Sequence, residues 1–260
     1  MARQPEGPPP PPVVQRVRLR YAKRGRLRFT SHRDVARAFE RALRRARVPM
    51  AYSAGFNPHP KVSWLGASPT GVASEAEYVE LALAEIVEPA TLRAELDAAL
   101  PPGVDIVEVV ESAGGSLADR IEASEWRIEL PGVPEETLRS AVAAFLAATE
   151  APVERLTKTG RRTLDARAPV VRAEVHGGAL GAFGTESAQP CAILELVVRH
   201  VTPAVRPDDV LTGLRVVADL EPPVPPRATR LAQGSLSAEG RLSDPLAVDR
   251  AREVSGVPPT

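Results

Sequence analysis

Residues 16–48 read RVRLRYAKRGRLRFTSHRDVARAFERALRRARV. Two periodicities meet in this stretch. Val17, Leu19 and Tyr21 alternate with Arg16, Arg18 and Arg20, the period of two that sends successive side chains to opposite faces of a strand. Lys23-Arg24-Gly25 reads as a turn, after which Leu27 and Phe29 resume the alternation. The period then changes. Thr30 or Ser31 offers a capping hydroxyl, and Val35, Ala38, Phe39, Ala42, Leu43 and Ala46 fall three and four residues apart, one stripe of a helix. Pro49 stops that helix. A strand running into an amphipathic helix sets the start of an α+β fold.

The pattern continues outward. AYSAGFNPHPKVSWLG (51–66) is a loop rich in Gly, Asn and Pro that leads into a short strand at Lys61–Leu65. Glu77–Ala84 alternates as a strand through Val79, Leu81 and Leu83. Glu88-Pro89 opens a helix through Leu92, Leu96 and Leu100, and Gly103 ends it before a strand at Val104–Val110. The order strand, helix, strand, strand, helix, strand is the ferredoxin-like βαββαβ motif. After a linker at 112–124 the order repeats. The second half predicts strands at Trp126–Leu130, Val153–Lys158, Val170–Val175, Ile193–His200 and Thr229–Leu236. Its helices fall at Glu135–Ala148 and Arg206–Ala218. The expected architecture is therefore tandem ferredoxin-like units with antiparallel sheets, spanning 13–111 and 125–236. The Pro-rich segment 1–12 and the segment 237–260 are expected to be disordered tails.

Composition narrows the function classes. Aromatic residues are only 4% against 43% hydrophobic, so the cores must be built from Ala, Val and Leu. A single cysteine, Cys191, excludes an internal disulfide and a Cys-ligated cluster. The chain is therefore not itself a radical SAM enzyme, and no cofactor or metal is expected. Cys191 reads as a small buried hydrophobe. No apolar run reaches the roughly 20 residues of a membrane span, and the N-terminus lacks the apolar stretch of a signal peptide, so no membrane association and a cytoplasmic location are expected.

The formal charge of zero hides an asymmetry. Residues 1–61 hold 15 Lys and Arg against three acids, Glu6, Asp34 and Glu40, a net +12, and the remainder carries −12. An Arg-rich coding bias accounts for part of the Arg count but not for the scarcity of acids. A basic segment of this kind points to an anionic partner.

Candidate site residues cluster in that segment. Ser31 and Asp34 stand at cap and N3 positions, and His32 sits in the first helical turn, where free N–H groups favour an anion. Arg33, Arg37, Arg41 and Arg44 follow at intervals of three and four, a stripe along which a phosphate backbone could lie. The alternative is a solvated helix face. In the loop, Gly55 permits unusual backbone angles while Pro58 and Pro60 stiffen the chain around Asn57 and His59. Such a loop presents Tyr52, Ser53, Asn57, His59 and Lys61 as ligand-binding candidates, with Phe56 and Trp64 as further stacking surfaces or, alternatively, core plugs. Farther on, Arg161, Arg162, Asp165 and Arg167 form an Asp-among-Arg strand. Over this short stretch it resembles the catalytic-Asp setting of pseudouridine synthases, but Arg–Asp pairs on exposed strands are common and account for it better.

RFTSHRD (28–34), AYSAGFNPHP (51–60) and GVASEAEY (71–78) together resemble the start of DUF2344 proteins, densely over residues 17–85 and thinly thereafter. The resemblance implies a partner, since such proteins are encoded beside, or fused to, a radical SAM protein. It supplies no catalytic roles. The expected function is an accessory or substrate-binding protein that acts with a separate radical SAM enzyme and holds an anionic ligand such as RNA or a phosphate-bearing molecule. Two alternatives stand beside it. One is an RNA-processing or RNA-modifying enzyme using His32 and His59 as general acid and base. The other is a protein–protein adaptor.

Overall fold

The computed structural model describes residues 10–157, 160–178 and 190–255. The chain divides into two units. One ends at Ala118 and resumes at Leu246, and the other is Asp119–Pro245. Both are mixed α/β, and every strand pairing within them is antiparallel.

Unit 1 runs β1 (Gln15–Lys23), α1 (His32–Arg45), β2 (Val62–Leu65), β3 (Ala73–Leu83), α2 (Pro89–Ala99) and β4 (Val104–Glu111). Its strands lie in the order β4-β1-β3-β2. Leu19 pairs with Val79, which also pairs with Trp64. One face of the sheet carries Val17, Leu19, Tyr21, Val79, Leu81 and Ile106, all at most 2% exposed. Val35, Phe39 and Leu43 of α1 and Leu92 and Leu96 of α2 close the core over that face. The alternation of β1 thus did what its period requires. One feature differs from the sequence expectation. Gly25–Phe29 forms a 3₁₀ turn rather than a resumed strand, and Phe29 is left exposed. Gly25 at φ 55° turns the chain out of the ladder before Leu27 can pair.

Unit 2 runs β5 (Ala123–Pro131), α3 (Glu135–Ala147), β6 (Pro152–Thr157), β7 (Gly160–Asp165), β8 (Val170–Gly178), β9 (Cys191–Arg199), α4 (Pro207–Ala218), β10 (Arg227–Leu236) and β11 (Leu242–Ser243). The main strands lie in the order β10-β5-β9-β8, with β11 on β10. β6 and β7 pair only with each other, as a hairpin between α3 and β8. The sequence reading placed a strand at 153–158 but not its partner. GRRTLD carries only one apolar side chain, Leu164, so its period of two is invisible.

The segment 237–260 is not a featureless tail. β11 and a last helix, α5 (Ala247–Ser255), form within it, and α5 belongs to unit 1. Its anchor is Asp249, whose carboxylate accepts from Arg18 Nη1 at 2.9 and 3.1 Å and from the Ala113 N–H at 2.8 Å. Arg18 also donates to Glu80 at 2.9 Å and to the Gly115 carbonyl at 2.5 Å. Both Arg18 and Asp249 are fully buried. Arg250 adds a contact to Glu108 at 2.6 Å. The Pro, Gly and charge content of the segment concealed this, because a short helix held by ion pairs leaves no apolar stripe to read. Of the expected N-terminal tail, residues 1–9 lie outside the described residues, and residues 10–12 form no regular element.

Candidate functional site

The site is built by α1 and the segment that follows it. Ser31 caps α1, its Oγ accepting from the Asp34 N–H at 3.3 Å and donating to the Asp34 carboxylate at 2.6 Å. At the other end the Val48 N–H reaches back to the Leu43 carbonyl at 3.0 Å, and Arg47 takes φ 53°. That left-handed position favours glycine, and a side chain there costs about 1 kcal/mol. The chain then runs along the end of β3, with Met50 bridged to Leu83 and the Ala51 N–H donating to the Ala82 carbonyl at 2.8 Å. Tyr52 bridges Pro60. Ser53 closes the loop twice, its N–H to the His59 carbonyl at 2.9 Å and its Oγ from the His59 N–H at 3.0 Å.

This closure leaves a cavity of about 370 Å³ between α1 and the loop, with Glu40, Arg44, Arg47, Met50, Tyr52 and His59 in its wall. A second cavity of about 230 Å³ shares Glu40, Leu43, His59 and Pro60 and reaches Trp64. Trp64 is held edge-on by Phe39 at 5.1 Å and Tyr21 at 6.2 Å. It is thus partly a core plug, as one reading of the aromatics had it, and partly cavity wall.

The predicted residues do not gather in one place. Arg44, Tyr52 and His59 line the larger cavity. Arg33, Arg37 and Arg41 are exposed on α1 and line neither cavity. Arg37 lies 3.7 Å from Asp34, while the side chains of Arg33, Arg41 and Arg44 make no ion pair or hydrogen bond among the described residues. At 100° per residue, Arg33 and Arg44 fall within 20° of each other around the helix and Arg41 lies about 60° beyond Arg44. Ser31 and Ser53 hold backbone. Asn57 and Lys61 are exposed and line neither cavity. His32 packs against the edge of Trp64 at 5.3 Å, so the two histidines do not line one cavity together. Glu40 and Arg47 were missed as site residues. The signal for Glu40 was its rarity as an acid in the basic segment, and Arg47 became visible only through its backbone angle.

Unit 2 contains a pair that resembles a nucleophile and its base. Ser124 Oγ and His200 Nε2 are 2.7 Å apart. Burial and the nearby Arg230 charge push the His200 pKa below its ordinary value, against a hydrogen bond with the Ile121 backbone. His200 as a whole is exposed, and its Nε2 meets the hydroxyl of a buried serine. Ser124 is 1% exposed, so a substrate has no route to the hydroxyl. Asp165 is likewise structural, its Oδ1 accepting from the Ala151 and Arg167 N–H groups at 2.8 Å each. Cys191 is buried with a free thiol, which burial pushes up. Among the described residues no group of three or more His, Cys, Asp and Glu could hold a metal, and no helix is long and apolar enough to cross a membrane.

The family described as "Uncharacterized protein conserved in bacteria (DUF2344)" matches residues 16–207, which cover unit 1 up to β4 and most of unit 2. The chain belongs to the DUF2344 family. No curated protein matches this DUF2344 chain. Among solved structures, it is similar to the encapsulated DyP-type peroxidase from Mycobacterium smegmatis at 9% identity over 86% of this chain and 92% of that one, with a TM-score of 0.19. A likeness of that size carries no argument about fold or function.

Proposed function

We propose that unit 1 of this DUF2344 protein binds single-stranded RNA, as an accessory or substrate-holding module for a separate radical SAM enzyme. We read both units as ferredoxin-like, on the strand orders β4-β1-β3-β2 and β10-β5-β9-β8. The observation that carries the RNA reading is that Arg33, Arg41 and Arg44 have no side-chain partner among the described residues, on an exposed helix beside a cavity with aromatic walls. Guanidinium groups left without acids are free to neutralise phosphates, and rings beside them offer stacking to unpaired bases. Arg47 strengthens the reading. An arginine stands at a backbone angle where glycine is the less strained choice, and it lines the same cavity. The radical SAM partner rests on the family resemblance alone.

The test is a titration of the purified chain against a labelled single strand at several salt concentrations. Each phosphate contact on a single strand contributes about −0.7 to the slope of log affinity against log salt. Replacing Arg33, Arg41 and Arg44 with Ala should weaken binding and flatten that slope by about 2 units. An unchanged slope would return α1 to the status of a solvated helix face. The partner is tested separately, by recovery of a radical SAM protein with the tagged chain from its native host.

A further inference from the structure

We propose that the cavity beside the arginine stripe takes one unpaired nucleobase bearing an exocyclic amino group, which the Glu40 carboxylate reads. The proposal rests on the RNA reading of α1 and names what that site selects.

Glu40 is the acid in the basic segment that the fold leaves unexplained. Of the three acids in residues 1–61, Glu6 lies outside the described residues and Asp34 is used by the Ser31 cap and by Arg37. Glu40 lines both cavities. Its neighbours three and four residues away on the helix are Arg37 and Arg44, the spacing at which ion pairs form. Arg37 turns to Asp34 instead, and the Glu40 side chain has no hydrogen bond or ion pair among the described residues. A carboxylate standing among cations, yet engaged by none of them, is open to a ligand.

The cavity suits a base. Its volume of about 370 Å³ lies at the small end of ligand pockets. Leu43, Val48, Met50 and Pro60 give it apolar walls, and Tyr52 and His59 add rings to its lining. Tyr52 is 38% exposed, so its ring is available from the solvent side. An ionised carboxylate only accepts hydrogen bonds. It matches the amino groups of cytosine, adenine and guanine. Uracil offers it only the N3–H, flanked by the O2 and O4 carbonyls that set acceptor against acceptor. The phosphates on either side of the bound base would lie toward Arg33 and Arg44, which gives the track and the reader separate chemistry.

Two labelled strands decide it: a short oligouridylate, and the same strand with one central cytidine. The native chain should bind the cytidine strand about tenfold more tightly, the size of one discriminating base contact. Glu40→Gln keeps an acceptor but adds a donor, so the ratio between the strands should fall towards one. The salt slope should stay unchanged for both. Loss of a negative charge can tighten both strands together, and the ratio is insensitive to that. Glu40 is exposed, and circular dichroism of the variant checks that it folds. Equal affinity for the two strands in the native chain, or a preference that survives Glu40→Gln, overturns this inference and leaves the RNA reading intact. No binding of either strand overturns both.

Discussion

Unit 2 pairs many of its arginines, while Arg162, Arg199, Arg227 and Arg241 have no side-chain ion pair or hydrogen bond among the described residues. Arg155 reaches Asp209 at 3.0 Å, Arg172 reaches Glu125 at 2.8 Å and Glu174 at 3.1 Å, Arg161 reaches Glu154 at 3.2 Å, and Arg139 contacts Glu135. Unit 1 pairs the arginines of its sheet, Arg16 and Arg18 with Glu80 and Arg24 with Glu75 and Asp105. On α1 it leaves Arg33, Arg41 and Arg44 without a side-chain partner among the described residues. The strands of the two units follow corresponding orders, so the difference is not one of topology. The strand order positions side chains, and the presence or absence of a facing acid decides whether an arginine stabilises the protein or remains available to a ligand.

That contrast can be broken by substitution. The largest effect is expected where pairing is complete. Asp249→Ala leaves Arg18 buried without its main partner and should cost about 3–5 kcal/mol in urea unfolding. A loss under 1 kcal/mol would show that Glu80 and the Gly114 and Gly115 carbonyls hold Arg18 without α5. Arg155→Ala should cost about 1–3 kcal/mol, because Asp209, whose side chain is 7% exposed, then keeps only its bond from the Arg206 N–H.

A smaller effect concerns pH. The folded state holds the His200 pKa below the ordinary value of 6.5. The unfolded chain therefore binds a proton first, and stability should fall as pH drops below about 6.5 toward the lowered value. His200→Gln should flatten that slope, and thermal melts across the range will show it. A slope unchanged by His200→Gln would assign it to other groups. The smallest effect is expected on the unpaired stripe. Arg41→Ala should alter stability by no more than about 0.5 kcal/mol. A loss comparable to that of Arg155→Ala would mean that α1 depends on Arg41 structurally, and the contrast between paired and unpaired arginines would fail.

Some of this was legible in the residues. The alternation of Val17, Leu19 and Tyr21 and the stripe Val35, Phe39, Leu43 determined that a strand and then an amphipathic helix form, because periods of two and 3.6 are properties of the local chain. The concentration of arginine in residues 1–61 determined where a free positive surface could arise. The loop's Gly and Pro content marked the segment that carries Tyr52 and His59. Tertiary structure decided the rest. It alone set Glu40, His59 and Arg47 around one cavity, packed His32 against Trp64, and left Asn57 outside. It alone brought Asp249 to Arg18 across 231 residues, turning an apparent tail into the last helix of unit 1. The physical reason is range. Periodicity and capping act over one or two turns of chain. The pairing of a buried charge, or the absence of a pair, depends on which distant residues the fold makes neighbours.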